Sequence, residues 1–249
     1  MSEAAKVAEL LAGARRDRQA VDPYPELGRD DAAQARDLGV QARVAAGETV
    51  LGARIGFTSR AKREAGGIDE PVVGTLTSGM LAPYGQAVDL DALIQPRVEP
   101  EIALLLGRDL EGPATVTRVL AATEAVFAVA DVVDSRYRDY RYTAPDVVAD
   151  NASAGLVLLG SRAVRPADLE DLRLVGCVVR VDGEVVATAA AAAALGHPAA
   201  AVAWLLDSGV ALAAGSIVLT GGLTAAVPLR AGRAVTIEFD GLGTVDVYA

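Results

Sequence analysis

The spacing of apolar residues divides the chain into two parts. Over residues 3–20, apolar side chains recur every three or four positions with charged residues between them, which is the periodicity of an amphipathic helix. A second helical pattern follows Asp30 and Asp31, either of which is suited to cap it, and ends near Gly47. We therefore predict an N-terminal helical segment over residues 1–49.

From Val50 onward the pattern changes to short β-branched runs separated by Gly, Pro and Asp turns. The clearest runs are Ile102–Leu106, Leu172–Val181, Glu184–Val186, Ser216–Thr220 and Ala234–Phe239. Helical patterns interrupt them at about 115–129 and 198–213. Because strands and helices do not alternate regularly, a doubly wound parallel sheet is disfavoured. We predict an α+β protein whose residues 50–249 form a mixed, mainly antiparallel β core with attached helices.

Composition and charge exclude several classes of function. Hydrophobic residues make up 52% and charged residues 22% of the 249 residues, the balance of a globular protein. The formal net charge of -10 repels phosphate backbones and anionic lipid, so we expect neither a nucleic-acid nor a membrane partner. We see no secretory signal and no apolar run of membrane-spanning length, which predicts a cytoplasmic location.

Scarce residue types narrow the chemistry further. With His197 as the single histidine, a histidine-rich zinc or iron site within one chain is excluded. His197 precedes a proline that begins a helix, which favours a structural hydrogen bond over a role as a base. Cys177 lies in an apolar run, typical of a small core residue. A Schiff-base enzyme would need Lys6 or Lys62, the only lysines.

The most informative segment holds two carboxylates at the start of an apolar strand. Glu99 and Glu101 are two residues apart, so in an extended chain their side chains project from the same face. Two neighbouring carboxylates repel each other unless a cation or a proton lies between them. The sequence leaves two interpretations open, a cation site or a solvent-facing entrance to the strand.

Two further acidic clusters follow. Asp131–Arg136 comes after an apolar segment, Val119–Ala130, that we predict to be helical, and Asp146–Ser153 mixes apolar with short polar residues. Oxygen ligands without histidine or cysteine suit Mg²⁺, Mn²⁺ or Ca²⁺. Together with Glu99 and Glu101, these clusters predict a divalent-metal site.

Taken in order, several segments resemble the fumarylacetoacetate hydrolase superfamily, in the branch of 2-oxopent-4-enoate hydratases and 4-oxalocrotonate (2-oxo-3-hexenedioate) decarboxylases. The resemblance runs from about Val50 to the end and more weakly over the helical segment. The matching segments are Ile55–Lys62, Asp69–Pro71, Pro96–Ala103, Asp134–Tyr137, Ala149–Ser153, Leu195–Pro198 and Ala203–Leu205.

The resemblance implies a single catalytic domain of mixed β-roll type in which Glu99, Glu101 and Asp131 hold Mg²⁺ or Mn²⁺. The ion would chelate a small 2-oxo acid and stabilise the enolate that forms when a bond breaks. Residues Asp134–Tyr137 and Gly221–Pro228 look more like the decarboxylases. We therefore expect decarboxylation of 2-oxo-3-hexenedioate, with 2-oxopent-4-enoate hydration or another enol reaction as alternatives.

Two positions depart from the pattern of the family. Arg54 stands where relatives usually have lysine, and Gly79 where they usually have an acidic residue. Arginine does not deliver protons at neutral pH, but it binds a carboxylate through two parallel hydrogen bonds. Gly79 contributes no side chain. Both departures favour decarboxylation over water addition, and we expect Arg54, Lys62, Glu99 and Glu101 to be the catalytic residues.

Other polar residues are candidates for substrate binding. Ser59 and Ser153 are more suited to bond the substrate than to attack it, because no histidine–carboxylate pair is evident nearby. Lys62 is suited to a distal carboxylate, although a surface position is the alternative. Arg136 would act either as a second clamp beside Arg54 or as the partner of a neighbouring aspartate.

The resemblance also bears on assembly. It implies a homo-oligomer and association with a matching hydratase. A non-enzymatic subunit that stabilises such a hydratase is the alternative to an enzyme. The intact set of Glu99, Glu101 and Asp131 argues against it, because a carboxylate cluster without a cation only destabilises the fold.

Overall fold

The computed structural model describes residues 1–83 and 85–249. Its helices are α1 (Glu3–Asp17), α2 (Arg29–Ala45), α3 (Arg60–Gly66), α4 (Val116–Ala122), α5 (Ala144–Ala149) and α6 (Pro198–Asp207). Within those described ranges, no helix has the length and apolar character needed to cross a membrane.

Eleven strands form two sheets in the described part of the chain. The strands are β1 (Val50–Gly56), β2 (Val72–Thr77), β3 (Arg97–Leu106), β4 (Thr123–Val133), β5 (Ala154–Leu159), β6 (Gly176–Val181), β7 (Glu184–Ala190), β8 (Ile217–Leu219), β9 (Val227–Pro228), β10 (Ala234–Phe239) and β11 (Gly243–Tyr248). The larger sheet has the order β2-β1-β8-β3-β4-β5 with β9 beside β3, and only β1 and β8 are parallel. The smaller sheet has the order β11-β10-β6-β7 and is antiparallel throughout. The predicted mixed, mainly antiparallel α+β fold is confirmed.

The two sheets share one hydrophobic core. On β10, Val235, Ile237 and Phe239 are buried while the residues between them are only partly buried, the alternation expected of a strand with one face on a core. Their side chains belong to the same cluster as Ile102 and Leu104 of β3. This core packs against β3 and β4 in the middle of the larger sheet.

The N-terminal helices pack on one end of the larger sheet. Ser2 caps α1, and Leu11 on its buried face packs with Ala35 of α2 and with Tyr137. The loop after α1 returns along the helix, since the Tyr24 hydroxyl donates a hydrogen bond to Glu3 at its start. The two helices consequently run side by side in the same direction.

The prediction of a helix over 115–129 was wrong for its second half. α4 ends at Ala122, and Thr123–Val133 is strand β4, the neighbour of β3. Alanine favours a helix locally, but β4 is buried along nearly its whole length, and cross-strand pairing outweighs that preference. Strands buried on both faces lose the alternation that identifies them in a sequence. The second predicted helix, 198–213, ends earlier, at Asp207.

His197 and Cys177 have the structural roles predicted for them. His197 caps α6, its Nδ1 accepting a hydrogen bond from the Ala199 N–H at 2.9 Å. Cys177 lies in the core on β6, 2% exposed.

We expect the Cys177 thiol to be inert in the folded protein, because burial raises its pKa to about 11. At pH 8, Ellman's reagent should label less than about a tenth of the thiol in an hour, and one equivalent at once in guanidinium chloride. Rapid labelling without denaturant would contradict this placement.

Candidate functional site

The pairing of β3 with β4 brings three carboxylates onto one face of the sheet. Glu99 lies directly opposite Asp131, and Glu101 follows two residues further along the same face. Their exposed fractions are 8% for Glu99, 4% for Glu101 and 1% for Asp131. The interpretation of Glu99 and Glu101 as a solvent-facing strand entrance is therefore wrong, and the structure brings the three predicted acidic residues together.

Two cations from neighbouring elements contact this acidic cluster. Arg54 of β1 donates through Nη2 to Asp131 Oδ2 at 2.5 Å, and both side chains are buried. Lys62 of α3 donates through Nζ to Glu99 Oε2 at 2.5 Å. Glu101 instead accepts a hydrogen bond from the Gly221 backbone N–H at 2.9 Å. Three carboxylates thus face two side-chain cations.

The electrostatics show that this compensation is incomplete. Burial raises the pKa of Glu101 well above its ordinary value, the charges of Asp131 and Glu99 raise it further, and Arg54 opposes them. Burial also raises the pKa of Asp131, with the Arg54 guanidinium as the main opposing influence. A buried cluster with one more negative than positive charge favours either a bound proton or an additional cation.

The chemical type and the burial of these three carboxylates suit a divalent metal ion. Their donors are all carboxylate oxygens, which suit hard divalent ions. Asp131 Oδ1 is buried and has no hydrogen-bond partner within 1–83 and 85–249. In those same ranges no three acidic, histidine or cysteine side chains already surround a common point, because Glu99 and Asp131 are turned toward Lys62 and Arg54. Holding the ion would require these two carboxylates to exchange their side-chain cations for it.

Two glycines that the motif analysis did not assign to the site lie against the carboxylates. A Cβ at Gly222 would lie 2.0 Å from Glu99 Oε2 and 2.6 Å from Lys62 Nζ. Gly221 has φ +101°, and a Cβ there would lie 2.1 Å from Thr58 Oγ1. Only glycine permits the backbone to approach this closely. The available sequence signal was a pair of glycines immediately after the apolar run that forms β8.

Of the predicted substrate-binding serines, Ser59 precedes Lys62 by three residues, and the Ser153 backbone oxygen accepts a hydrogen bond from the Asp134 N–H at 2.8 Å, just after β4. Ser59 is 8% exposed and begins α3, the helix that carries Lys62. Ser153 is 4% exposed, and its Oγ has no hydrogen-bond partner among the residues described. A buried hydroxyl without a partner is costly unless it meets a ligand or water.

Arg136 is engaged within the protein. Its Nε donates to Asp150, and its two terminal nitrogens donate to the backbone oxygens of Asp134, Ala154 and Asp150. Of the two roles predicted for Arg136, this is the partnership with a neighbouring aspartate. We assign it to holding the turn that carries Ser153.

The space beside Gly79 is filled by a carboxylate from another part of the chain. The Glu48 carboxylate occupies the space where a side chain at position 79 would lie, 2.4 to 2.7 Å from an ideal Cβ. Glu48 accepts hydrogen bonds from the Gly79 N–H at 3.2 Å and the Thr77 hydroxyl at 2.5 Å, and it pairs with Arg43 at 2.9 Å. A carboxylate therefore lies beside position 79, although another part of the chain supplies it.

An aromatic wall, which sequence reasoning also missed, borders the cluster. The Phe57 and Tyr142 rings meet edge to face at 6.3 Å, and Tyr140 lies 6.4 Å from Tyr142. The Arg97 guanidinium lies 4.0 Å from the centre of the Tyr140 ring. Burial raises the pKa of Tyr142 to about 12, and the charge of Glu99 adds to this effect. Both effects favour the protonated phenol of Tyr142, which lies near the carboxylates.

The comparisons with known proteins agree with this architecture. The model of the fumarylacetoacetate (FAA) hydrolase C-terminal family matches residues 53–247, and the chain belongs to that family. A 4-oxalocrotonate decarboxylase from a Pseudomonas species is 41% identical over 231 residues, covering 89% of each chain. A 2-keto-4-pentenoate hydratase from Burkholderia vietnamiensis is 43% identical over 206 residues, which cover 80% of this chain and 78% of the relative.

A solved structure is similar over almost the whole chain. It is a 4-oxalocrotonate decarboxylase from Pseudomonas putida G7, complexed with magnesium and adipate. The TM-score is 0.92 at 34% identity, with 99% of this chain and 97% of that chain covered. These comparisons confirm the family resemblance and the fold predicted from it.

We expect Gly222→Ala to disturb the acidic cluster without unfolding the protein. The added methyl group would displace the Glu99 carboxylate and Lys62, so affinity for Mg²⁺, measured by calorimetric titration, should fall at least about tenfold. Gly176→Ala is the matched control, because nothing lies within 4 Å of a Cβ at that position. Equal Mg²⁺ affinity in both variants would argue against the predicted ligands.

Proposed function

We propose that this protein is a divalent-metal-dependent lyase that decarboxylates 2-oxo-3-hexenedioate (4-oxalocrotonate). The observation that carries the proposal is the buried cluster of Glu99, Glu101 and Asp131, which has one negative charge more than its side-chain cations balance. Two proteins named 4-oxalocrotonate decarboxylase support the choice of substrate. One is the 41% identical relative, and the other is the solved structure with a TM-score of 0.92.

The metal ligands in this proposal are Glu99, Glu101 and Asp131, and the ion is Mg²⁺ or Mn²⁺. When bound, such an ion supplies a positive charge where electrons accumulate on a 2-oxo acid. In the reaction, the bond between C5 and the C6 carboxylate, which is the one far from the 2-oxo group, breaks and carbon dioxide leaves. The electron pair moves through the double bond to the 2-oxo oxygen, which gains a proton, and the product is 2-hydroxypenta-2,4-dienoate.

Each of the remaining residues has a proposed task. Arg54 lies 2.5 Å from Asp131 and presents a second terminal nitrogen, Nη1, without a partner among the residues described, so it is placed to hold a substrate carboxylate. Lys62 lies on a short helix that has no buried residue, and it is suited to a distal carboxylate. Ser59 and Ser153 are hydrogen-bonding partners for the substrate.

Hydration of 2-oxopent-4-enoate is the second candidate, and the 43% identical hydratase supports it. It requires a group that moves protons at neutral pH, which Arg54 does not provide. Glu48 places a carboxylate beside Gly79 from outside the family motifs. Decarboxylation makes the smaller demand on proton transfer, and we retain it as the main proposal.

The assembly and domain predictions also stay proposals. We expect residues 50–249 to form the catalytic domain and residues 1–49 an appended helical segment. We expect a homo-oligomer that associates with a matching hydratase, in the cytoplasm.

Purified protein should consume 2-oxo-3-hexenedioate with release of carbon dioxide in the presence of Mg²⁺. Ultraviolet absorbance would follow the substrate and the dienol product, and a chelator should abolish turnover. Turnover of 2-hydroxypenta-2,4-dienoate alone would favour the hydratase. Absence of turnover with both compounds would contradict the proposed lyase function.

Glu101→Gln should lower kcat at least about a hundredfold while thermal unfolding stays cooperative, because a metal-binding carboxylate is lost from the reacting centre. The matched control is Glu124→Gln on the exposed side of β4, which should retain activity within about twofold. Comparable activity in the two variants would remove Glu101 from the catalytic site.

A further inference from the structure

A cavity that does not include the acidic cluster lies between the N-terminal helices and the end of the larger sheet. Its volume is about 380 Å³, and α1, α2 and the start of β5 form its walls. Leu11, Val40 and Met80 contribute apolar surface. Neither Arg54 nor any of the three proposed metal ligands lines it, so the cavity is separate from the proposed catalytic site.

The charge of the lining is opposite to that of the protein as a whole. Five arginines and only two carboxylates line the cavity, in a chain with a formal charge of -10. The two carboxylates, Glu48 and Asp150, already pair with Arg43 and Arg136. Arg16 and Arg36 pair with Asp17 and Asp37, which lie outside the lining. Among the described residues, Arg15 is then the lining arginine without an acidic partner, so the cavity combines an apolar body with one uncompensated positive charge.

Among the arginines that line the cavity, Arg15 has the least nearby negative charge to balance its guanidinium group. It makes no ion pair with any acidic residue of the described chain, and its Nη2 donates to the backbone oxygen of Ala154 at 2.8 Å. Arg15 and Arg43 come from the same ends of the two parallel helices and line the same cavity. The combined field of two partly buried guanidinium groups attracts an anion.

The pKa of Arg43 reflects repulsion between the positive charges of the cavity lining. Burial lowers the pKa of the Arg43 guanidinium, Glu48 opposes the change, and the positive charge of Arg136 lowers the pKa further. An anion placed beside Arg43 would relieve both effects, since it offsets the desolvation of the guanidinium and screens it from Arg136.

We propose that this cavity binds a small amphipathic carboxylate. The carboxylate would bond the guanidinium groups of Arg15 and Arg43, and the hydrocarbon body would pack against Leu11, Val40 and Met80. An ammonium compound is disfavoured by the uncompensated charge of Arg15, and a neutral compound would leave that guanidinium without an anion. The proposal does not depend on the reaction catalysed at the acidic cluster.

The cavity lies close enough to the proposed catalytic site for a ligand to affect it. Asp150 and Asn151 line the cavity and belong to the turn that leads to Ser153. The Asn151 side chain also bonds the Thr75 backbone at 2.7 and 2.8 Å, which ties this turn to the edge strand β2. A bound carboxylate would therefore touch the segment that positions Ser153.

The test is calorimetric titration of the full chain with octanoate in the presence of EDTA, which prevents a carboxylate from binding through a metal ion. Octanoate should bind one per chain, and octanol and octylamine should bind at least tenfold more weakly. Arg15→Gln should weaken octanoate at least about tenfold. Arg29→Gln is the control, because Arg29 is exposed, pairs with Glu70 and does not line the cavity.

A second variant tests the place of binding without removing charge. Gly39 lines the cavity on α2, and nothing lies within 4 Å of a Cβ built there, so Gly39→Leu should fill the space and leave the helix intact. Loss of octanoate binding in this variant, with unchanged circular dichroism, supports the proposal.

Three outcomes would overturn it. The first is no binding of octanoate to the unmodified chain. The second is equal octanoate affinity in Arg15→Gln, Gly39→Leu and Arg29→Gln. The third is loss of binding in Arg54→Met with no change in Arg15→Gln, which would place octanoate at the acidic cluster.

Discussion

The structure of this protein depends on how it keeps three carboxylates buried on two adjacent strands. An isolated ionised carboxylate in a protein interior is strongly unfavourable, and three on one face also repel one another. Arg54 and Lys62 lower this cost through contacts of 2.5 Å with Asp131 and Glu99. Breaking a buried pair such as Arg54–Asp131 costs about 3–5 kcal/mol, against about 0–1 kcal/mol for an exposed pair such as Arg165–Asp168.

Much of the surrounding structure keeps the cluster in place. The hydrophobic core below β3 and β4 fixes the register that sets Glu99 opposite Asp131. The two glycines after β8 let the backbone lie against the carboxylates and supply an N–H to Glu101. The frame keeps the three carboxylates on one face, and a metal ion would then replace Lys62 and Arg54 as the partner of Glu99 and Asp131.

The N-terminal helices produce a second concentration of charge, of the opposite sign. Their arginines point toward the end of the sheet, where Arg136 and Asp150 form a buried pair. The turn at Asp150 and Asn151 lies between this region and the acidic cluster, since it lines the cavity and its Asn151 backbone oxygen lies beside Gly74, which contacts Arg54. An overall charge of -10 gives no indication of this division, because it averages over both regions.

The sequence by itself determined the α+β class, the helical start of the chain, the family, and the identity of Glu99 and Glu101 as a pair on one face. Those inferences rest on periodicity and on ordered motifs, which are local. Only the tertiary structure decided that residues 123–133 form a strand, that Glu48 fills the space beside Gly79, and that Arg54 reaches Asp131. The physical reason is that each of these depends on contacts between segments far apart in the chain. A strand buried on both faces has no alternation to reveal it, and the partner of a buried charge is set by the packing of the sheet.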